Sequence, residues 1–252
     1  MISVIALSLL APMTSQDFQF TAEDKVIKST TGLQYADVEV GKGTAVRAGY
    51  LAFVHYTLRL GDGSEIDSSR KPDRTPFNFL VGAKQVIAGW DEGLLGMMPG
   101  GRRKLRIPAE LGYGEMGIPD AIPGGATLWF DVEVLAATHP SDFLPTEKSV
   151  DQEGVKVFDV MAGTGDGAKR GEKVSMMYSL YAPDGKLIER GQQPLKWTIG
   201  DGKLIKGFDA AAIGMKIGAV RKAWVPSELG YGEAGAGPIG PNQPLSFVLE
   251  RL

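Results

Sequence analysis

The stretch Leu33-Gln-Tyr-Ala-Asp-Val-Glu-Val40 alternates apolar and polar side chains, the period of a strand with one buried face. Ala52-Phe-Val-His-Tyr-Thr-Leu-Arg-Leu60 repeats that pattern and runs into Gly61-Asp-Gly63, a hairpin-type turn. Residues 77–81, 103–107 and 127–134 read as three further strands. Between them, the segment 84–95 sets Val86, Ile87, Trp90 and Leu94 at helical spacing. Gly89 weakens helix propensity there but lets a neighbouring element come close. A sheet with one apolar face must bury it on something, and this segment is the candidate. The pattern therefore predicts an α+β fold, a curved antiparallel sheet of about five strands wrapped on one short helix.

The same pattern then returns. Gly32, Asp37, Gly41, Gly43, Gly49 and Tyr56 recur 122 positions later as Gly154, Asp159, Gly163, Gly165, Gly171 and Tyr178. Beyond a contraction the offset becomes 118, and Gly82, Ile87, Gly89, Asp91, Gly96, Met97 and Gly100 become Gly200, Ile205, Gly207, Asp209, Gly214, Met215 and Gly218. Glu110-Leu-Gly-Tyr-Gly-Glu115 reappears letter for letter from Glu228 to Glu233. Collinear matching of this length means two copies of one fold. Residues 30–137 and 151–252 are the expected domains, and 138–150, with Pro140 and Pro145, the expected linker. Residues 16–29 read as a flexible lead-in, and 1–15 as a signal peptide built on the apolar run Met1 to Leu10. That run is too short to span a bilayer, no Lys or Arg precedes it, and no small-x-small cleavage site follows it. It predicts export, to a periplasm or the exterior, with the cytoplasm as the alternative.

Composition narrows the chemistry. Cysteine is absent, which excludes thiol nucleophiles, redox pairs and cysteine zinc sites. The two histidines, His55 and His139, are too far apart in sequence for a spaced ligand pair, so no metal is expected. A net charge of −3 argues against nucleic acid as the main partner. The basic run from Arg102 to Arg106 reads as a solvated strand face. Neither a GxxxxGK[ST] loop nor a strand–GxGxxG–helix unit is present, and no cofactor is implied.

Copy 1 carries, in order, Val54-His-Tyr-Thr57, Ile66-Asp-Ser-Ser-Arg70, Pro76-Phe-Asn-Phe79, Val86-Ile-Ala-Gly-Trp90, Arg106-Ile-Pro108, Gly112-Tyr-Gly114 and Ala126-Thr-Leu-Trp-Phe130. This ordered set resembles the FKBP family of peptidyl-prolyl cis–trans isomerases. The resemblance implies two FKBP-like domains, each with an apolar bowl that receives a proline ring. It assigns Trp90 to the floor and Tyr56, Ile66, Phe77, Val86, Ile87 and Phe130 to the wall. Ile122 covers the site. Tyr113 is the rim hydroxyl, Asp67 the carboxylate beside the imide, and the Ile87 amide a second donor. Ile66 stands where the family often has an aromatic residue, the loop after Asp67 is long, and Ile118 replaces a polar residue at the lip. Arg74 is the expected partner of Asp67.

Several of these residues have plainer readings. Trp90 taken alone is a core residue, and Asp67 a turn former. His55 precedes Tyr56 on a strand, so it points to the opposite face and is read as packed or exposed, not catalytic. Copy 2 keeps Tyr178, Ile205, Tyr231 and Phe247, but has Leu195, Leu204 and Phe208 where copy 1 has Phe77, Val86 and Trp90. Glu189 stands nearest the Asp67 position across a shorter loop. The second pocket is expected to be weak.

The expected function is rotation of X–Pro bonds in exported or unfolded polypeptides. The alternative is a non-catalytic chaperone or adaptor that holds proline-containing segments. The resemblance also implies macrolide ligands for copy 1.

Overall fold

The structure, a computed structural model, describes residues 18–72, 74–139 and 149–252. The expected signal peptide and most of the expected linker lie outside the described residues.

The first copy contains β1 (Ile27–Lys28), β2 (Gln34–Glu39), β3 (Leu51–Arg59), β4 (Glu65–Ser68), β5 (Phe77–Leu80), α1 (Ala88–Gly93), β6 (Arg102–Ile107) and β7 (Leu128–Thr138). Its strands lie in the order β1-β2-β6-β7-β3-β4, with β5 also on β3. The second copy contains β8 (Val150–Gln152), β9 (Val155–Met161), β10 (Lys173–Tyr181), β11 (Leu187–Arg190), β12 (Leu195–Thr198), α2 (Lys206–Ala212), β13 (Val220–Val225) and β14 (Leu245–Arg251). Its order, β8-β9-β13-β14-β10-β11 with β12 on β10, is the first order shifted by seven. The α+β class with one short helix on each antiparallel sheet stands. Each sheet has seven strands because β1, β4 and their counterparts are too short to show a period of their own.

The helix begins later than its apolar spacing suggests. Residues 82–86 form a bent loop, because the Asp91 carboxylate accepts the amides of Gly82 at 2.7 Å and Lys84 at 3.0 Å. Lys84 is driven into the left-handed region, with φ 57°. Gly89 explains how so short a helix sits on the sheet. A Cβ there would lie 2.4 Å from Ile107 Cγ2, so only glycine permits the approach.

Two other expectations are corrected. The expected lead-in is held at two places: Phe18 and Phe20 meet the Trp129 ring edge-on at 6.0 and 5.1 Å, and β1, though exposed, pairs with β2. The basic run is not a solvated face. Arg103 and Lys104 are buried. Arg103 pairs with Asp37 at 2.7 Å, and Lys104 Nζ donates to the Gln19 carbonyl at 2.9 Å and meets Asp24 at 3.3 Å. Arg102 forms a fork with Asp131, with Nε and Nη2 both 2.8 Å from its oxygens. Net charge says nothing about such local pairing, and a buried cation requires it. Among the described residues, no helix is long and apolar enough to cross a membrane.

Candidate active site

A cavity of about 360 Å³ opens in the first copy. Asp67, Tyr113, Ile87, Tyr56, Ile66, Phe77, Val86, Trp90, Ile122 and Phe130 all line it. These ten side chains come from β3, β4, β5, the loop that leads into α1, α1 itself, β7 and the loop between β6 and β7. Trp90, on the helix, is buried to 4% exposure. Its ring stands edge-on to Tyr56 at 5.2 Å, Phe77 at 5.8 Å and Phe130 at 5.2 Å. Such edge-to-face contacts are the favoured geometry of aromatic pairs. The result is an aromatic wall around a narrow apolar hollow.

The polar groups converge at one side. The Tyr56 hydroxyl donates to Asp67 Oδ2 at 2.5 Å. Arg74 Nη2 lies 3.6 Å from the other carboxylate oxygen, as expected. Burial, then the hydrogen bond and charge of Asp67, push the Tyr56 phenol well above its ordinary value. Burial and the charge of Asp67 also raise Tyr113. Both phenols therefore keep their protons at neutral pH and remain donors. His55 faces away, with Nδ1 3.0 Å from Ser69 Oγ, and burial lowers its pKa.

Four lining residues complete the cavity: Leu58, Gln85, Ile118 and Ala121. Leu58 was missed although the strand period gives it, since it lies two residues from Tyr56 on the same face. Gln85 and Ala121 sit in irregular loops and carry no such signal. Ile118 is at the lip as expected. Its amide and that of Ile122 exchange hydrogen bonds with each other's carbonyls, each at 2.8 Å. That tight turn needs Gly117, whose φ is +63° and whose added Cβ would lie 2.1 Å from the Ile122 carbonyl oxygen.

The second copy repeats part of this. The Tyr178 hydroxyl donates to Glu189 Oε1 at 2.5 Å, so Glu189 occupies the Asp67 place despite its shorter loop. Burial and Glu189 push the Tyr178 phenol up to about 12. Phe208 meets Tyr178, Trp197 and Phe247 edge-on at 5.7, 5.2 and 5.1 Å. Leu195, Leu204 and Ile205 are half-buried and pack against the core, and Tyr231 is exposed. A cavity of about 350 Å³ in this copy is lined by Leu204 alone of the expected pocket residues, beside Glu153, Arg170, Gly200, Gly202, Lys206, Asp209, Ala210 and Leu229. At the corresponding positions the first copy carries the Thr31–Glu92 hydrogen bonds and the Asp91 clasp.

Comparison with known proteins agrees with this geometry. Residues 42–135 and 165–251 match the family described as FKBP-type peptidyl-prolyl cis-trans isomerase. The chain is 56% identical over 96 residues to peptidyl-prolyl cis-trans isomerase FKBP2 of Mus musculus, covering 38% of this chain and 68% of that protein. It is 60% identical over 89 residues to FKBP2 of Homo sapiens, covering 35% and 62%. It is 31% identical over 249 residues to peptidyl-prolyl cis-trans isomerase FKBP10 of Homo sapiens, covering 96% of this chain and 41% of that one. With both copies matched, the chain belongs to the FKBP-type peptidyl-prolyl cis-trans isomerases.

Proposed function

We propose that the first copy, residues 30–137, rotates X–Pro bonds of unfolded polypeptides in the hollow above Trp90. The observation that carries this reading is the aromatic cavity with the Tyr56–Asp67 hydrogen bond on one wall. Rotation about a peptide bond breaks amide resonance, a barrier of roughly 18–20 kcal/mol. The planar amide is strongly dipolar and well solvated, and the twisted state is less so. A dry aromatic hollow therefore disfavours the ground state more than the transition state. No covalent nucleophile is needed.

In this reading Tyr113 donates to a carbonyl beside the proline, and its raised pKa keeps that donor intact. The Ile87 amide is the second donor, at the helix start where amides lack intrahelical partners. Asp67 acts at the imide, held by Tyr56 and Arg74. The apolar run at the N-terminus supports export as the setting. Macrolides of the immunophilin kind are further ligands of the same hollow. The second copy, with Phe208 and Leu195 in place of tryptophan and phenylalanine, binds proline segments weakly.

Isomerisation of a short X–Pro peptide by the full chain tests this. Asp67→Ala and Tyr113→Phe should each lower kcat/KM by about tenfold or more. A wild-type chain that suppresses aggregation of an unfolded client but leaves the peptide's exchange rate unchanged would replace the enzyme by the adaptor.

A further inference from the structure

We infer that Arg103, remote from the cavity lining, is a positioning residue that sets the height of the Trp90 floor, an inference that rests on the first copy being the working site. The helix α1 spans six residues and has no side-chain N-cap. A helix so short does not hold itself together in water. Its placement must come from its neighbours, and one face of β6 supplies it. Alternate residues of a strand share a face, so Arg103, Leu105 and Ile107 all point at the helix. Ile107 fills the space left by Gly89, and Leu105 that left by Gly93. Arg103 takes the far end.

Four hydrogen bonds fix its guanidinium. Nε and Nη2 bind the two oxygens of Asp37 on β2, at 2.7 and 3.1 Å. Nη1 donates to the carbonyls of Gly93 at 2.8 Å and Leu95 at 3.0 Å. Gly93 is the last helical residue, whose carbonyl lacks an intrahelical partner and carries partial negative charge, and Leu95 follows directly after the C-cap Leu94. The guanidinium also lies over the Tyr35 ring, 4.2 Å from its centre. The arginine thus ties the helix terminus to the adjacent strand. Trp90 follows Gly89 directly, so the tryptophan stands between the Ile107 contact and the clamp. With the clamp gone, the helix can pivot on the Gly89–Ile107 contact and carry Trp90 with it.

The second copy repeats the clamp with unrelated neighbours. Arg221 binds Asp159 at 2.6 and 3.0 Å and donates to Ala211 and Ile213 at 3.0 and 2.6 Å. The floor residue there is Phe208 and the position of Tyr35 is held by Val157, yet the four bonds are the same. Arg221 is therefore an internal control: losing it should loosen a helix in the same way without touching the Trp90 cavity.

The experiment uses full-length Arg103→Met, Arg103→Lys and Arg221→Met, assayed well below their melting temperatures. Arg103→Met should lower kcat/KM for the X–Pro peptide by about tenfold, mostly through KM, and shift the Trp90 indole resonance in a ¹H–¹⁵N spectrum. Arg103→Lys should fail to restore either, because an ammonium is a point charge and cannot span Asp37 and two carbonyls as a planar fork does. Arg221→Met should lower the melting temperature comparably, leave kcat/KM within about twofold, and leave the Trp90 resonance in place. A folded Arg103→Met with unchanged KM and an unmoved indole would overturn the inference, as would an equal loss from Arg221→Met. Absence of isomerisation in the wild type would instead overturn the proposed function, and the indole shift would still decide the clamp.

Discussion

The two copies are the same fold with the same clamp, and they differ in what the helix carries and how the loop before it is tied down. In copy 1 the Asp91 carboxylate holds the Gly82 and Lys84 amides, so the loop bearing Val86 and Ile87 is drawn against the helix. In copy 2 the equivalent Asp209 accepts the Trp197 indole at 2.8 Å. Trp197 stands where copy 1 has Phe79, which has no donor to offer. One substitution on a strand thus recruits the aspartate inward. A cavity of about 350 Å³ lined in part by Asp209 lies beside α2. Conserving a residue type does not conserve its job when a new donor appears within reach.

The helix–sheet contact differs in a compensated way. Gly93 faces Leu105 in copy 1, where an added Cβ would lie 3.0 Å from either Leu105 methyl. In copy 2 the same positions are Ala211 and Ala223, both buried. Volume has moved from the strand to the helix, and close packing is kept.

The sharpest way to break the contrast is at the floors. Trp90→Ala should cost copy 1 about 3–5 kcal/mol of stability and remove most of the full chain's X–Pro turnover. Phe208→Ala should cost copy 2 a similar amount and leave turnover within about twofold. Peptide exchange rates together with denaturant melts check both, and equal losses of rate would mean that both copies catalyse.

A smaller effect tests the volume exchange. Gly93→Ala should destabilise copy 1 by about 1 kcal/mol, and Leu105→Ala by about 2–5 kcal/mol. The double variant recreates the copy 2 pairing and should be less costly than the sum of the two by roughly 0.5–3 kcal/mol. Strict additivity in a double-mutant cycle would show that the two positions do not share their space.

The smallest expected effect is one of pH. Burial and a neighbouring carboxylate raise both Tyr56 and Tyr178 above the ordinary phenol value, Tyr178 to about 12. Stability tied to the neutral phenols is then fully present below the unfolded value of about 10 and is lost as pH rises through the folded values. Rate and melting temperature should accordingly show no phenol-linked change between about pH 7 and about 9. Absorbance titration of the phenolates provides the check, and Asp67→Asn should bring the Tyr56 transition down toward, but not below, the ordinary phenol value of about 10, since burial still raises it. A Tyr56 that titrates at the free value in the wild type would remove the short hydrogen bond from the account.

The amino-acid pattern alone was enough for the duplication and the α+β class, and the ordered motifs that resemble the FKBP family named the ten residues of the cavity lining. Each of these depends on local period or on a collinear motif, and period 2 along β3 brings Tyr56 to one face and sends His55 to the other. Tertiary structure decided the rest. The basic run looks solvated when read along the chain, but Arg103 and Lys104 are buried, because their partners Asp37, Asp24 and the Gln19 carbonyl arrive from distant segments. The start of the lead-in lies on Trp129, because Phe18 and Phe20 gain a partner only once β7 is in place. Glu189 aligns with Asp67 only when β11 is seen beside β10. A side chain's periodicity is written in its neighbours along the chain, whereas the partner that neutralises or covers it is chosen by packing across the fold.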